Sequence, residues 1–186
     1  MIELDRTQHE ALTCEATQVL LTGAHGTGKS SVIAERAIWL ILECDVDPAE
    51  IAVIVSSTQD DAAMREICEA PLRRMQYKTV PTIMTQAAFK TTDALTYRHV
   101  LADDVQAYDD AARAALSSAA TRGATLFVTV RSPGESAVSE HERRGYETAL
   151  ASFLSAARFE LVWVYRKPDA KKRRGQASGE EQMSLF

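Results

Sequence analysis

The sequence predicts an α/β domain: a doubly wound parallel sheet in three layers, with helices over both faces. Three observations lead there. Short apolar runs such as Ile51-Ala52-Val53-Ile54-Val55 and Leu126-Phe127-Val128 lack the alternation of a strand with one wet face, so both faces must be covered. Longer segments with helical spacing separate these runs. A glycine-rich turn joins the first apolar run to the first strong helix.

In chain order, strands are expected over residues 18–21, 51–55, 80–84, 98–102, 125–130 and 159–164. Helices are expected over 30–43, 60–70, 109–120 and 140–157. The first helix carries Val32, Ile33, Arg36, Ala37, Leu40 and Ile41 as one apolar stripe. Asp109 or Asp110 is the expected cap of the third helix and Ser139 of the fourth. Strands alternating with helices imply right-handed crossovers. Residues 1–168 read as the domain. From 169 to 186 core-forming residues almost vanish, and a basic run, Lys171-Lys172-Arg173-Arg174, precedes a Gly/Ser/Gln/Glu stretch. That composition reads as a disordered tail.

Length and charge narrow the function. With 186 residues the chain holds one domain and a tail, too little for a complete two-lobed motor. Its 26 acidic and 21 basic residues give a net charge of −5, which argues against a generally basic nucleic-acid coat. Cys14, Cys44 and Cys68 are scattered and in no metal-ligand spacing, so they read as small buried thiols in a reducing compartment. The first residues lack the pattern of a signal peptide, and the longest apolar run, residues 37–42, is far short of the ~20 needed to cross a bilayer. A soluble, cytoplasmic protein without membrane contact is expected. Trp39 and Trp163 sit in apolar patterns and read as core; the four histidines are scattered.

The strongest signal is Gly23-Ala24-His25-Gly26-Thr27-Gly28-Lys29-Ser30, which fits G-x-x-x-x-G-K-S/T between a strand and a helix. Glycines let main-chain N–H groups turn inward around a triphosphate, and the following helix presents its positive end. Lys29 would reach the β- and γ-phosphates, and the Ser30 hydroxyl would bind Mg²⁺. A second acidic element is needed, and Val100-Leu101-Ala102-Asp103-Asp104 ends an apolar strand in two carboxylates. Asp103 would hold Mg²⁺ and Asp104 would be the general base. A pair of helix-capping acids is the plainer reading of the same two residues.

The order of these motifs resembles the first RecA-like lobe of the UvrD/Rep-type superfamily 1 DNA helicases, over about residues 3 to 167. In that family a glutamine ahead of the phosphate loop reads adenine; Leu4-Asp5-Arg6-Thr7-Gln8 matches it. The family's loop is similar to Gly23–Ser30, so the resemblance implies that Gly23, Gly26, Thr27, Gly28, Lys29 and Ser30 bind ATP and that Ser30 and Asp103 bind Mg²⁺. It also implies that Arg36, seven residues after Lys29, meets the γ-phosphate. The family's D-E-x-Q box resembles Asp103-Asp104-Val105-Gln106, and its late Tyr-Arg pair resembles Tyr165-Arg166, Tyr165 on adenine and Arg166 on the γ-phosphate.

The departures from the family bear on activity. Asp104 stands where the family has Glu, one methylene longer, so at most a weak ATPase is implied. Ser57 replaces an aromatic that would stack on a DNA base, and Thr85-Gln86-Ala87-Ala88-Phe89 stands for T-F-H-S-F. The G-D-x-x-Q element is not recognisable near Val130-Arg131-Ser132-Pro133-Gly134. Base stacking contributes roughly 1–3 kcal/mol per base, so DNA contact should be weak or indirect.

The last five residues, Gln182-Met183-Ser184-Leu185-Phe186, resemble the peptide by which bacterial polymerases and repair proteins dock on the β sliding clamp. Leu185 and Phe186 would fill one apolar pocket, Met183 a second, and Gln182 would hydrogen-bond the rim. Two functions follow from these expectations. One is a helicase-like ATP-binding lobe acting in DNA replication or repair through the clamp. The other is a non-enzymatic adaptor that bridges the clamp to a further replication or repair protein.

Overall fold

The computed structural model describes residues 4, 6–24, 26–92, 96–131, 151–153, 155–157 and 159, and residues 161–165 by their backbone. The chain runs α1 (Arg6–Thr13), β1 (Gln18–Gly23), α2 (Lys29–Leu42), β2 (Ile51–Val55), α3 (Thr58–Arg74), β3 (Thr82–Thr85), α4 (Gln86–Phe89), β4 (His99–Ala102), α5 (Asp110–Thr121), β5 (Thr125–Arg131) and β6 (Leu161–Tyr165). Short 3₁₀ turns, Pro48–Glu50 and Val105–Ala107, lead into β2 and out of β4. The strands form one parallel sheet in the order β3-β2-β4-β5-β1-β6.

Alternate residues of β1 to β5 feed two separate cores. Val19, Leu21, Val53, Val55, Leu101 and Phe127 face α1, α2 and α3. Leu20, Ile54, Val100, Leu126 and Val128 face α4 and α5, with Phe153 and Ala157 completing that layer. All five residues of β2 are buried, as its unbroken apolar run requires. The expected three-layer, doubly wound architecture is therefore present. Because every strand points the same way, the carboxyl ends of β1, β2, β4 and β5 share one edge, where ligands bind in open α/β sheets.

Element boundaries differ from the sequence reading where side chains override propensity. The strand expected at 80–84 pairs only over Thr82–Thr85. The helix expected at 60–70 begins at Thr58 and continues through Pro71 to Arg74, its last turn anchored by the fully buried Leu72. Asp109 caps α5, its carboxylate accepting from the Ala112 N–H at 2.8 Å. Two short helices are not among the expected ones: α4 presents barely one turn of periodicity, and α1 about two, with only Gln8, Ala11 and Leu12 buried. Of the helix expected at 140–157, backbone at 151–153 and 155–157 is helical; 140–150, with Ser139, lies outside the described residues.

Cys68 is fully buried, but Cys44 is exposed and Cys14 half-buried, which corrects the expectation of three buried thiols. Among the described residues no helix is long and apolar enough to cross a membrane. Residues 166–186, hence the expected tail, lie outside the described residues.

Candidate functional site: the phosphate loop and its cleft

Gly28 turns the phosphate loop into α2 with φ 79°, in the left-handed region that glycine tolerates. A Cβ at Gly28 would lie 2.9 Å from Gln8 Nε2, so a side chain there would also displace the end of Gln8. Gln8 is buried on α1 and donates from Nε2 to the Thr27 carbonyl at 2.9 Å. Thr27 Oγ1 donates to the Ala24 carbonyl at 2.8 Å. Lys29 Nζ lies inside the loop, donating to the carbonyls of Gly23 at 3.1 Å and Ala24 at 2.9 Å. Burial pushes the Lys29 ammonium below its usual range, opposed by the nearby Asp104 and Asp103 carboxylates.

The two carboxylates sit where β4 ends and are aimed by different means. Asp103 is buried; its Oδ1 accepts from Thr129 Oγ1 at 2.6 Å, and it also accepts from the Ser30 hydroxyl. Burial raises its carboxyl above the usual range, against those two hydrogen bonds and the Lys29 charge. Asp104 adopts φ 52°, a left-handed conformation that Asp visits more readily than most residues. Its N–H donates to the same Thr129 Oγ1 at 2.9 Å, and its Oδ2 receives Arg131 Nη2 at 2.7 Å. Thr129, fully buried on β5, thus braces both acids.

These groups open into a cleft of about 490 Å³. Its floor is Gly26 to Ser30; its walls are Val55 and Ser56 after β2, Asp103 and Asp104 after β4, and Arg131 at the end of β5. Asp60 closes the rim, its carboxylate accepting from Ser56 Oγ and Ser57 Oγ, each at 2.6 Å, which holds it below the usual carboxylate range. Gln86 ties the rim together: Nε2 donates to the Ser56 carbonyl at 3.2 Å and the Ala107 carbonyl at 3.3 Å, while Oε1 accepts from the Asp109 N–H at 2.9 Å. The donor set fits a magnesium triphosphate: the N–H groups at the start of α2 and a buried ammonium for phosphate, a hydroxyl and a buried carboxylate for a hard cation.

The structure brings Gly26, Thr27, Gly28, Lys29, Ser30, Asp103 and Asp104 together, with Gly23 at the loop's start and Gln8 behind it. It does not bring Arg36 there. Arg36 is buried on α2, where its Nη1 donates to the Leu12 carbonyl and its guanidinium lies 4.7 Å from the Trp39 ring centre and 5.6 Å from that of Phe127. This corrects the γ-phosphate role: Arg36 docks α1 onto the sheet. Trp39, expected in the core, is only half-buried and packs against that guanidinium.

Arg36→Met should lower stability by about 2–3 kcal/mol, because the Leu12 carbonyl loses its donor. ATP affinity of the folded fraction should stay unchanged; thermal unfolding and calorimetry read the two effects. A selective fall in ATP affinity would restore the phosphate role.

Tyr165 is placed by its backbone, in register with Gly23, the first loop residue. Arg166 and Gln182–Phe186 lie outside the described residues, as does His25. Sequence reading missed Thr129, Asp60 and Arg131. Thr129 carried a signal, a lone polar residue inside an apolar strand; the other two depend on sheet register.

A parallel sheet of this order, with a G-x-x-x-x-G-K-S loop after β1 and paired acids after β4, defines a P-loop fold of the RecA-like type. Within that class, the chain belongs to the UvrD/REP helicase N-terminal domain family, which matches residues 4–166.

Several solved structures are similar in fold. The UvsW helicase from bacteriophage T4 superposes with a TM-score of 0.62 at 12% identity, covering 88% of this chain and 61% of that one. The Pyrococcus furiosus Hef helicase domain gives 0.58 at 12% identity, covering 89% and 39%. The Pif1 helicase from Candida albicans gives 0.50 at 16% identity, covering 88% and 39%. The chain thus spans roughly two fifths to three fifths of the helicase chains it resembles. No curated protein matches it.

Proposed function

We propose that this chain is a helicase-type ATP-binding lobe that hydrolyses ATP slowly and serves DNA replication or repair by docking on the β sliding clamp through residues 182–186. The observation that carries the nucleotide reading is the convergence of Lys29, Ser30, Asp103 and Asp104 on one cleft at the carboxyl edge of the sheet. Membership of a helicase-domain family supports the same reading. The clamp reading rests on the pentapeptide Gln182-Met183-Ser184-Leu185-Phe186.

In this reading Lys29 exchanges its two loop carbonyls for β- and γ-phosphate oxygens. Ser30 and Asp103 hold Mg²⁺, which supplies positive charge for the phosphates when bound. Gln8 and Tyr165 flank the adenine end, and Arg166 meets the γ-phosphate. Asp104 orients a water and takes its proton; the water oxygen bonds to the γ-phosphorus, the bond to the bridging oxygen breaks, and ADP leaves with that electron pair.

Asp104 is a methylene shorter than the glutamate this step uses elsewhere in the family. Asp104→Glu should therefore raise the steady-state hydrolysis rate about tenfold, a fraction of the 10²–10⁴ that a placed general base contributes. A coupled-enzyme ATPase assay reads it, and an unchanged or lower rate sinks the general-base role.

The ion pair from Arg131 to Asp104 favours a second reading, in which the lobe is an adaptor whose carboxylate is locked. Its partners would then be the clamp and a further replication or repair protein. Calorimetry with ATP·Mg²⁺ separates the two: affinity in the micromolar range supports the ATP-binding lobe, and millimolar or weaker affinity leaves the adaptor.

A further inference from the structure

The cleft contains a cation that the motif reading does not use. Arg131 ends β5 in register with Gly23, so its main chain lies one strand spacing, about 4.8 Å, from the start of the phosphate loop. Its N–H is fixed by Gln106 Oε1 at 3.0 Å. Its guanidinium reaches back over the cleft and holds Asp104 Oδ2 at 2.7 Å. It is close enough for its charge to depress Lys29 further and to favour the ionised form of Asp60 on the opposite rim.

We propose that Arg131 is a built-in γ-phosphate sensor, which leaves the Asp104 carboxylate for the terminal phosphate of ATP and thereby unmasks Asp104. The inference rests on the ATP-binding reading of the cleft and names how that site tells ATP from ADP. The geometry suits an exchange. The Arg131 side chain is 46% exposed and that of Asp104 is 25% exposed, so the pair is partly screened by water and weakly held. A guanidinium fork matches two phosphate oxygens, and a triphosphate outcompetes a single carboxylate for it.

The main-chain anchors at Gly23 and Gln106 stay fixed while only the side chain moves. With ADP there is no γ-phosphate to draw the side chain away, and Asp104 stays paired with Arg131. Water activation is thus withheld until the third phosphate arrives, without a cation from another chain.

The test is calorimetric titration of the full chain with ADP·Mg²⁺ and with a non-hydrolysable ATP analogue and Mg²⁺. Wild type should prefer the triphosphate at least tenfold. Arg131→Gln should bring the two affinities within about twofold of each other while ADP affinity changes less than threefold. Asp104→Asn, which releases Arg131 without removing it, should widen the preference; it also serves if Arg131→Gln unfolds.

A purely structural ion pair predicts equal losses for both nucleotides in Arg131→Gln and no widening in Asp104→Asn, and either result overturns the sensor. An equal affinity of wild type for the two nucleotides overturns it as well. Wild type that binds neither nucleotide overturns the ATP-binding reading along with it, whereas binding with an unchanged preference removes the sensor alone.

Discussion

Lys29→Ala should weaken ATP·Mg²⁺ binding about 100-fold or more, since charge-assisted hydrogen bonds contribute roughly 1.5–3 kcal/mol each and the ammonium can make two. The amine is already inside the loop, 2.9–3.1 Å from the Gly23 and Ala24 carbonyls, so little reordering precedes its contact with phosphate. Burial also depresses its proton affinity, and a phosphate chain would reverse that penalty. Hydrolysis should fall below detection in the same variant. Calorimetry measures the first effect, and a thermal midpoint within a few degrees of wild type establishes that the loop's removal of charge, not unfolding, is being read. Undiminished ATP affinity in Lys29→Ala would place the nucleotide elsewhere and end the enzymatic account.

Deleting Gln182–Phe186 should abolish binding to the β sliding clamp, by 100-fold or more in Kd, while leaving the melting transition unchanged. Peptide-in-groove contacts concentrate their energy in a few anchors, and central apolar anchors contribute about 2–4 kcal/mol each. Leu185 and Phe186 would be those anchors, so Leu185→Ala with Phe186→Ala should reproduce most of the loss. Surface plasmon resonance on immobilised clamp, with the intact chain as reference, checks both variants. Retained affinity after the deletion refutes the docking role and leaves the nucleotide site untouched.

What the sequence disclosed follows from how local each signal is. The phosphate loop is legible because its glycines, lysine and serine act within eight consecutive residues and its flanking strand and helix are adjacent in the chain. The Asp103-Asp104 pair is legible for the same reason. Arg36 was misassigned although its separation from Lys29 held the answer: seven helical residues carry it about 10 Å along α2. Its true partners, Leu12 and Phe127, lie 24 and 91 positions away and emerge only once α1 and β5 are in place.

Arg131 was hidden by the converse. It stands where the family's coupling motif is not recognisable, and its contact with Asp104 depends on β4 and β5 pairing at a particular register. Ser57 counted as a lost aromatic in the sequence; in the fold it caps α3, its Oγ accepting the Asp60 N–H at 3.3 Å, a role typically contributing ~1 kcal/mol. A departure from a family pattern can thus be a local gain that pattern matching cannot see.

The strand that carries the phosphate loop is enclosed by β5 on one side and β6 on the other, both drawn from residue 125 onward. During synthesis at ~5–20 residues per second, β1 leaves the ribosome roughly 7–30 s before the segment that seals its outer flank. Until then its main-chain groups stand unpaired along that flank, and an extended hydrophobic segment in this condition is prone to foreign pairing. The strand that carries the nucleotide cradle therefore gains its second neighbour only once residues 161–165 have been made.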